Sequence, residues 1–166
     1  KIATQAINSF EEKYEKNWMK MMRNKLGLDG SIKKDKSLIL DLLTWMHEKK
    51  ADYTNTFCHL MNLKVENEEL YKDKNFLNWK SRWQDILSKN DISQEKSFQL
   101  MRGSNPLVIP RNHKVEEVLK AAENDNFEPI NKFLEILKKP YSEQKNISDY
   151  QTVPTTDKNY QTFCGT

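Results

Sequence analysis

Apolar residues recur along this chain at steps of three and four, the spacing that draws one stripe down an α-helix. The first stripe runs through Ile7, Phe10, Tyr14, Trp18, Met21, Met22 and Leu26 and predicts a helix over 2–26. Glu11, Glu12, Lys13, Glu15, Lys16 and Lys20 cover its other side. Gly27 ends it, because glycine enters the left-handed region without steric cost. A polar loop through Gly30 and Lys33-Lys34 leads to a second helix over 37–50, capped by Asp35 or Ser37. Leu38, Ile39, Leu42, Leu43, Trp45 and Met46 make this the most apolar stretch, so it is expected at the centre of the fold. Asp52 caps a third helix with Tyr53, Phe57, Leu60 and Met61 on one face.

Residues 62–74 are polar, with Leu63, Val65, Leu70 and Tyr71 as scattered anchors. Phe76, Trp79, Trp83, Ile86 and Leu87 restore helical spacing. Ser93 then caps a short helix that carries Phe98 and Met101 and stops at Gly103. Asn105-Pro106-Leu107-Val108-Ile109-Pro110 cannot be a regular helix, since each proline biases its predecessor towards extended backbone. Asn112 opens a helix through Val115, Val118, Leu119 and Ala122. Asn124-Asp125-Asn126 is a turn, and Pro129 suits the first turn of a helix bearing Ile130, Phe133, Leu134 and Leu137. From Tyr141 onward there is no periodicity, although Tyr150, Val153, Tyr160 and Phe163 need somewhere to sit.

The expectation is an all-α fold, a single helical domain of about six or seven helices with an irregular C-terminal arm. It divides into a helical bundle over 1–103, a connector with an αα-hairpin over 104–139, and the arm over 140–166, which ends in Cys-Gly-Thr.

Composition narrows the function classes. The chain has 166 residues, enough for one core, and 37% of them are apolar. Only 4 Gly and 5 Pro exclude a turn-dense β-sandwich. A net charge of +3 is too small to indicate a nucleic-acid partner, and none is expected. Two cysteines build no disulfide framework. The longest apolar run, Leu38-Ile39-Leu40, is far too short for a membrane span, so no membrane partner is expected. No signal-type apolar segment follows the start, which points to a cytoplasmic protein. The chain begins at Lys1 rather than Met, so either a start was removed or this is a piece of something longer, and the second reading is favoured.

Recognisable catalytic chemistry is scarce. The four glycines are too dispersed for a phosphate-binding loop, and no metal-ligand spacing of Cys and His occurs. Cys58, following Phe57 in an apolar segment, reads as packing or a half-exposed inert thiol. His47 and His59 read as surface or boundary residues. The tryptophans Trp18, Trp45, Trp79 and Trp83 lie inside apolar stripes, so they are expected in the core rather than on a base-stacking platform.

Two features ask for more. Ile109-Pro110-Arg111-Asn112-His113 is either a rigid connector with Asn112 as the helix cap, or a place where Arg111, Asn112 and His113 dock an anion or an acidic partner. Cys164 sits beside Gly165 near the end of an aperiodic tail; it is either an incidental terminal cysteine or an accessible thiol whose role is decided by reactivity rather than packing.

Several stretches resemble the selenoprotein O family, called YdiU in bacteria. They are Phe10-x-x-x-Tyr14-x-x-x-Trp18 with Lys25-Leu26-Gly27-Leu28, Ala51-Asp52-Tyr53-Thr54-x-Thr56-Phe57, and Asn105-Pro106 with Ile109-Pro110-Arg111-Asn112-His113-x-Val115-Glu116. Pro140-Tyr141-x-Glu143-Gln144 and the terminal Phe163-Cys164-Gly165-Thr166 continue it. Spacing departs mainly over 29–36 and 62–100. The resemblance implies a pseudokinase-like protein adenylyltransferase that moves AMP from ATP to hydroxyl side chains of other proteins, using a divalent metal, Mg or Mn. The family's nucleotide- and metal-binding residues map onto none of these 166 positions, so no catalytic or metal residue and no cofactor is expected here. The chain then corresponds to the C-terminal structural and regulatory region of such a protein. Its partners would be the upstream kinase-like part of the same chain and the parent's protein substrates. Cys164 would be the redox residue, forming a disulfide with the catalytic part. The alternative is a free-standing helical module that binds another protein.

Overall fold

In the computed structural model the described residues are 7, 9–29, 35–89 and 93–154. Among them are eight α-helices and no strand. They are α1 (Phe10–Lys25), α2 (Asp35–Lys49), α3 (Tyr53–Leu60), α4 (Lys74–Ser88), α5 (Gln94–Ser104), α6 (Asn112–Ala122), α7 (Glu128–Leu137) and α8 (Ser148–Gln151). A 3-10 helix, Glu68–Lys72, precedes α4. The fold class is all-α, as the periodicity predicts.

Local chemistry sets most of the boundaries. Gly27 adopts φ 68°, and Gly27 N–H and Leu28 N–H bond back to Asn24 O and Arg23 O, a Schellman ending for α1. The Asp52 carboxylate accepts from Asn55 N at 2.8 Å and opens α3. Asp73 accepts from Asn75 N and Phe76 N to open α4, and Ser93 Oγ accepts from Lys96 N to open α5. Pro129 lies in the first turn of α7, where its missing N–H costs nothing.

The core gathers around α2, whose Leu38, Ile39, Leu42, Trp45 and Met46 are buried against α4 and the end of α1. Trp45, Phe76, Trp79 and Trp83 form a ladder of rings, with Tyr71 and His59 stacked at its edge. Two indole N–H groups donate to carbonyls across the core, Trp79 to Leu38 O at 2.8 Å and Trp83 to Leu26 O at 2.9 Å. These bonds place polar atoms inside without leaving them unpaired. Leu107 and Val108 of the connector are buried, so it runs through the interior and not over the surface.

Several expectations need correcting. Trp18 is only half-buried, and Phe10 and Tyr14 are 67% and 58% exposed, so the first stripe meets the core only from Trp18 onward. Helical period identifies an apolar face without saying what covers it. Asn112 is not a cap but the first residue of α6, with Arg111 in the cap position and no side-chain cap bond. α5 passes through Gly103 to Ser104, because that glycine keeps a helical φ. The arm contains one helical turn, α8, and Tyr150 stacks on Phe133 at 5.1 Å. Tyr160, Phe163 and Cys164 lie outside the described residues.

Candidate functional site

Two stretches far apart in sequence meet at the start of α3. The Asp52 carboxylate that caps the helix also receives a two-pronged bond from Arg111, with Nη1 to Oδ2 at 2.7 Å and Nη2 to Oδ1 at 2.8 Å. Arg111 Nη2 also reaches Asn55 Oδ1 at 3.3 Å. The Arg111 side chain is 9% exposed and Asp52 20%, so the pair is largely withdrawn from water. Arg111 Nε is buried without a hydrogen-bond partner among the described residues. Burial pushes the Asp52 carboxyl up, but the Arg111 bonds, the Asn55 N–H and the guanidinium charge outweigh it. The carboxyl therefore lies below its ordinary value.

The arm is laced onto the same place. Asn55 Nδ2 donates to Gln151 O at 3.2 Å, and Gln151 Nε2 donates to Leu107 O at 2.7 Å. His113 Nε2 lies 3.5 Å from Thr152 Oγ1, and Val153 N donates to Glu66 Oε2 at 2.8 Å. A cleft of about 320 Å³ remains between Asp52, Asn55, Glu66, Tyr71 and Val153.

A second polar knot lies one turn further along α3. Lys25 Nζ donates to Ser104 O at 3.0 Å and Asn105 Oδ1 at 3.2 Å, and rests 4.9 Å from the centre of the Phe57 ring. Asn105 Nδ2 returns a bond to Lys25 O at 2.8 Å. Burial lowers the pKa of the Lys25 ammonium. Cys58, fully buried between these knots, has its thiol pushed up to about 11, first by burial and then by the Asp52 charge. Such a thiol stays protonated at neutral pH and is a poor nucleophile.

Of the residues singled out in sequence, Arg111 and His113 join this cluster, Asn112 points to solvent, and Cys164 lies outside the described residues. Periodicity missed Lys25, Asn55, Asn105 and Gln151, and gave Asp52 only its capping role. One signal was available: every motif that carries the resemblance within 25–113 supplies a member of these knots. The charges of Lys25, Asp52 and Arg111 are met within the chain, and the knots fix backbone rather than present a reacting group. Among the described residues no group of three or more His, Cys, Asp or Glu is placed to hold a metal. No helix among the described residues is long and apolar enough to cross a membrane.

Comparison with known proteins places the chain in a family. Residues 2–138 match the family model described as protein adenylyltransferase SelO. The protein nucleotidyltransferase YdiU of Pelagibacter ubique is 48% identical over 167 residues, covering all of this chain and 35% of that protein. The YdiU proteins of Bacillus thuringiensis and Alcanivorax borkumensis are 43% and 44% identical, each matched over 34% of its length. This chain therefore spans about a third of the length of the curated relatives it matches. With its motif stretches knotted together along α3 and a match running through most of its length, the chain belongs to the SelO/YdiU family of protein nucleotidyltransferases.

Proposed function

We infer that this chain is the C-terminal structural and regulatory region of an ATP-dependent protein adenylyltransferase. AMP transfer to protein hydroxyl groups, with ATP and a divalent metal, belongs to a kinase-like part that precedes these residues in the parent. The observation that carries this reading is the coverage, because the relatives match all of this chain while it takes up only 34–35% of each of them. The knots at Asp52–Arg111 and Lys25–Asn105 support a scaffolding role, since they consume the charges that would otherwise grip a nucleotide. The exposed aromatics of α1 also suit a free-standing interaction module, but the length of the relatives favours the first reading. We assign the parent to the cytoplasm.

Cys164 supplies the regulatory element of this proposal, as the thiol that forms a reversible disulfide with a cysteine of the catalytic part by exchange with a small-molecule disulfide, which takes up the two electrons and two protons and leaves as two thiols. Its counterpart Cys58 is buried with a raised pKa and stays out of that exchange. Calorimetry with Mg-ATP tests the division of labour. The parent binds nucleotide and this chain alone does not; micromolar binding by residues 1–166 alone overturns the assignment.

A further inference from the structure

We propose that the outward stripe of α1 is the seam on which the kinase-like part of the parent packs. Ile7, Tyr14 and Met21 recur every seven residues; Phe10, Tyr14 and Met21 lie along one line of α1, and Ile7 stands just before the helix. Ile7, Tyr14 and Met21 are 73%, 58% and 42% exposed, and Phe10 is 67% exposed. Together they offer on the order of 500 Å² of apolar surface, taking roughly 200 Å² for each whole side chain. A patch of that size is as large as the largest apolar patch of an ordinary monomer, and such patches are commonly contact surfaces.

The stripe is also held ready. Phe10 and Tyr14 stack on each other with ring centres 6.0 Å apart and planes 23° apart. Trp18, next along, is half-buried and rooted against the core. Met22 and Leu26 anchor the far end of α1, while Glu15 pairs with Lys36 of α2 on the flank. One end of the helix is therefore built into this domain and the other leaves its aromatic line uncovered. This resembles a core cut in two rather than a solvated helix face.

The occupant follows from length. The relatives have about twice as much chain outside the matched third as within it, and the stripe lies inside the matched span of 2–138. The rest of the parent is thus a large, covalently linked surface that needs no association entropy to reach α1. The assignment rests on the reading that such a part exists in this protein.

Hydroxyl-radical footprinting of the full-length parent tests it without any substitution. In the native parent, Phe10 and Tyr14 should be modified as slowly as the buried Phe57 and Phe76, and severalfold more slowly than in the urea-unfolded parent. Native labelling close to the unfolded rate overturns the proposal. Protection that disappears on dilution identifies a second copy as the occupant and overturns it too. An AMP-transfer assay on the same preparation separates the two readings. Protection without transfer overturns the function and keeps the seam, whereas transfer without protection overturns the seam alone.

Discussion

Asp52→Asn isolates the charge in the knot that joins α3, the connector and the arm. Asparagine caps a helix about as well as aspartate, so the bond from Asn55 N survives in kind. What is lost is the counter-charge to Arg111, whose side chain is 9% exposed. Removing one partner of a fully buried pair costs about 3–5 kcal/mol, because the other charge is left stranded. Asp52 is itself 20% exposed, so water screens part of that cost and about 2–4 kcal/mol is expected. Arg111→Met takes away the other charge, but Asp52 keeps the Asn55 N–H and an edge to solvent. That variant should lose only about 1–2 kcal/mol. The double variant should be more stable than Asp52→Asn alone, since it removes the stranded cation. Urea melts of the four proteins at pH 7, read by linear extrapolation, measure all three differences. If Asp52→Asn costs less than about 0.5 kcal/mol, or the two losses simply add, the pair does not carry the junction.

The same carboxyl contributes to the acid limb of stability, beside Asp73, whose bonds from Lys49, Trp45 and its own helix start hold it lower still, at about 2. The folded pKa of Asp52 lies below the ordinary 3.8, so the stabilisation is complete above the unfolded value and is lost as pH falls through the folded one. Asp52→Asn should flatten that part of a pH-dependent melting profile. Gly27→Ala should cost about 2–4 kcal/mol by denaturant melt, because alanine at φ 68° is strained and its Cβ would lie 2.3 Å from Ser97 Oγ. Alanine at Trp45, Trp79 or Trp83 should cost about 3–5 kcal/mol each, against about 1–2 kcal/mol at the half-buried Trp18. Cys58, buried and with a thiol pushed up to about 11, should resist alkylation at pH 8 until the protein unfolds, as mass spectrometry of the peptide would show.

What was legible in the sequence is what depends on near neighbours. Asp52 and Ser93 announce helix starts because a short acceptor precedes an apolar run, and both cap as expected. Gly27 announces an ending because few other residues tolerate its φ. The 3-10 helix at Glu68–Lys72 escapes because its sequence is polar and its entry turns on Asn67 in the left-handed region. The partners of the polar knots are beyond local pattern altogether. Arg111 finds Asp52 across 59 positions and Asn105 finds Lys25 across 80, and nothing in spacing links them. The α1 stripe shows the opposite limit. Its apolar face was plain, but Phe10 and Tyr14 proved to be exposed, because period reports amphipathicity and not the identity of what lies opposite.

The central claim is that residues 1–166 are the supporting third of an enzyme whose chemistry lies elsewhere in the chain. The most direct measurement incubates the full-length parent and this chain separately with ATP labelled at the α-phosphate, a divalent metal and an acceptor protein. Labelled AMP on protein with the parent, and none with residues 1–166, is the predicted result. Transfer by residues 1–166 alone, or none by the parent, would contradict it.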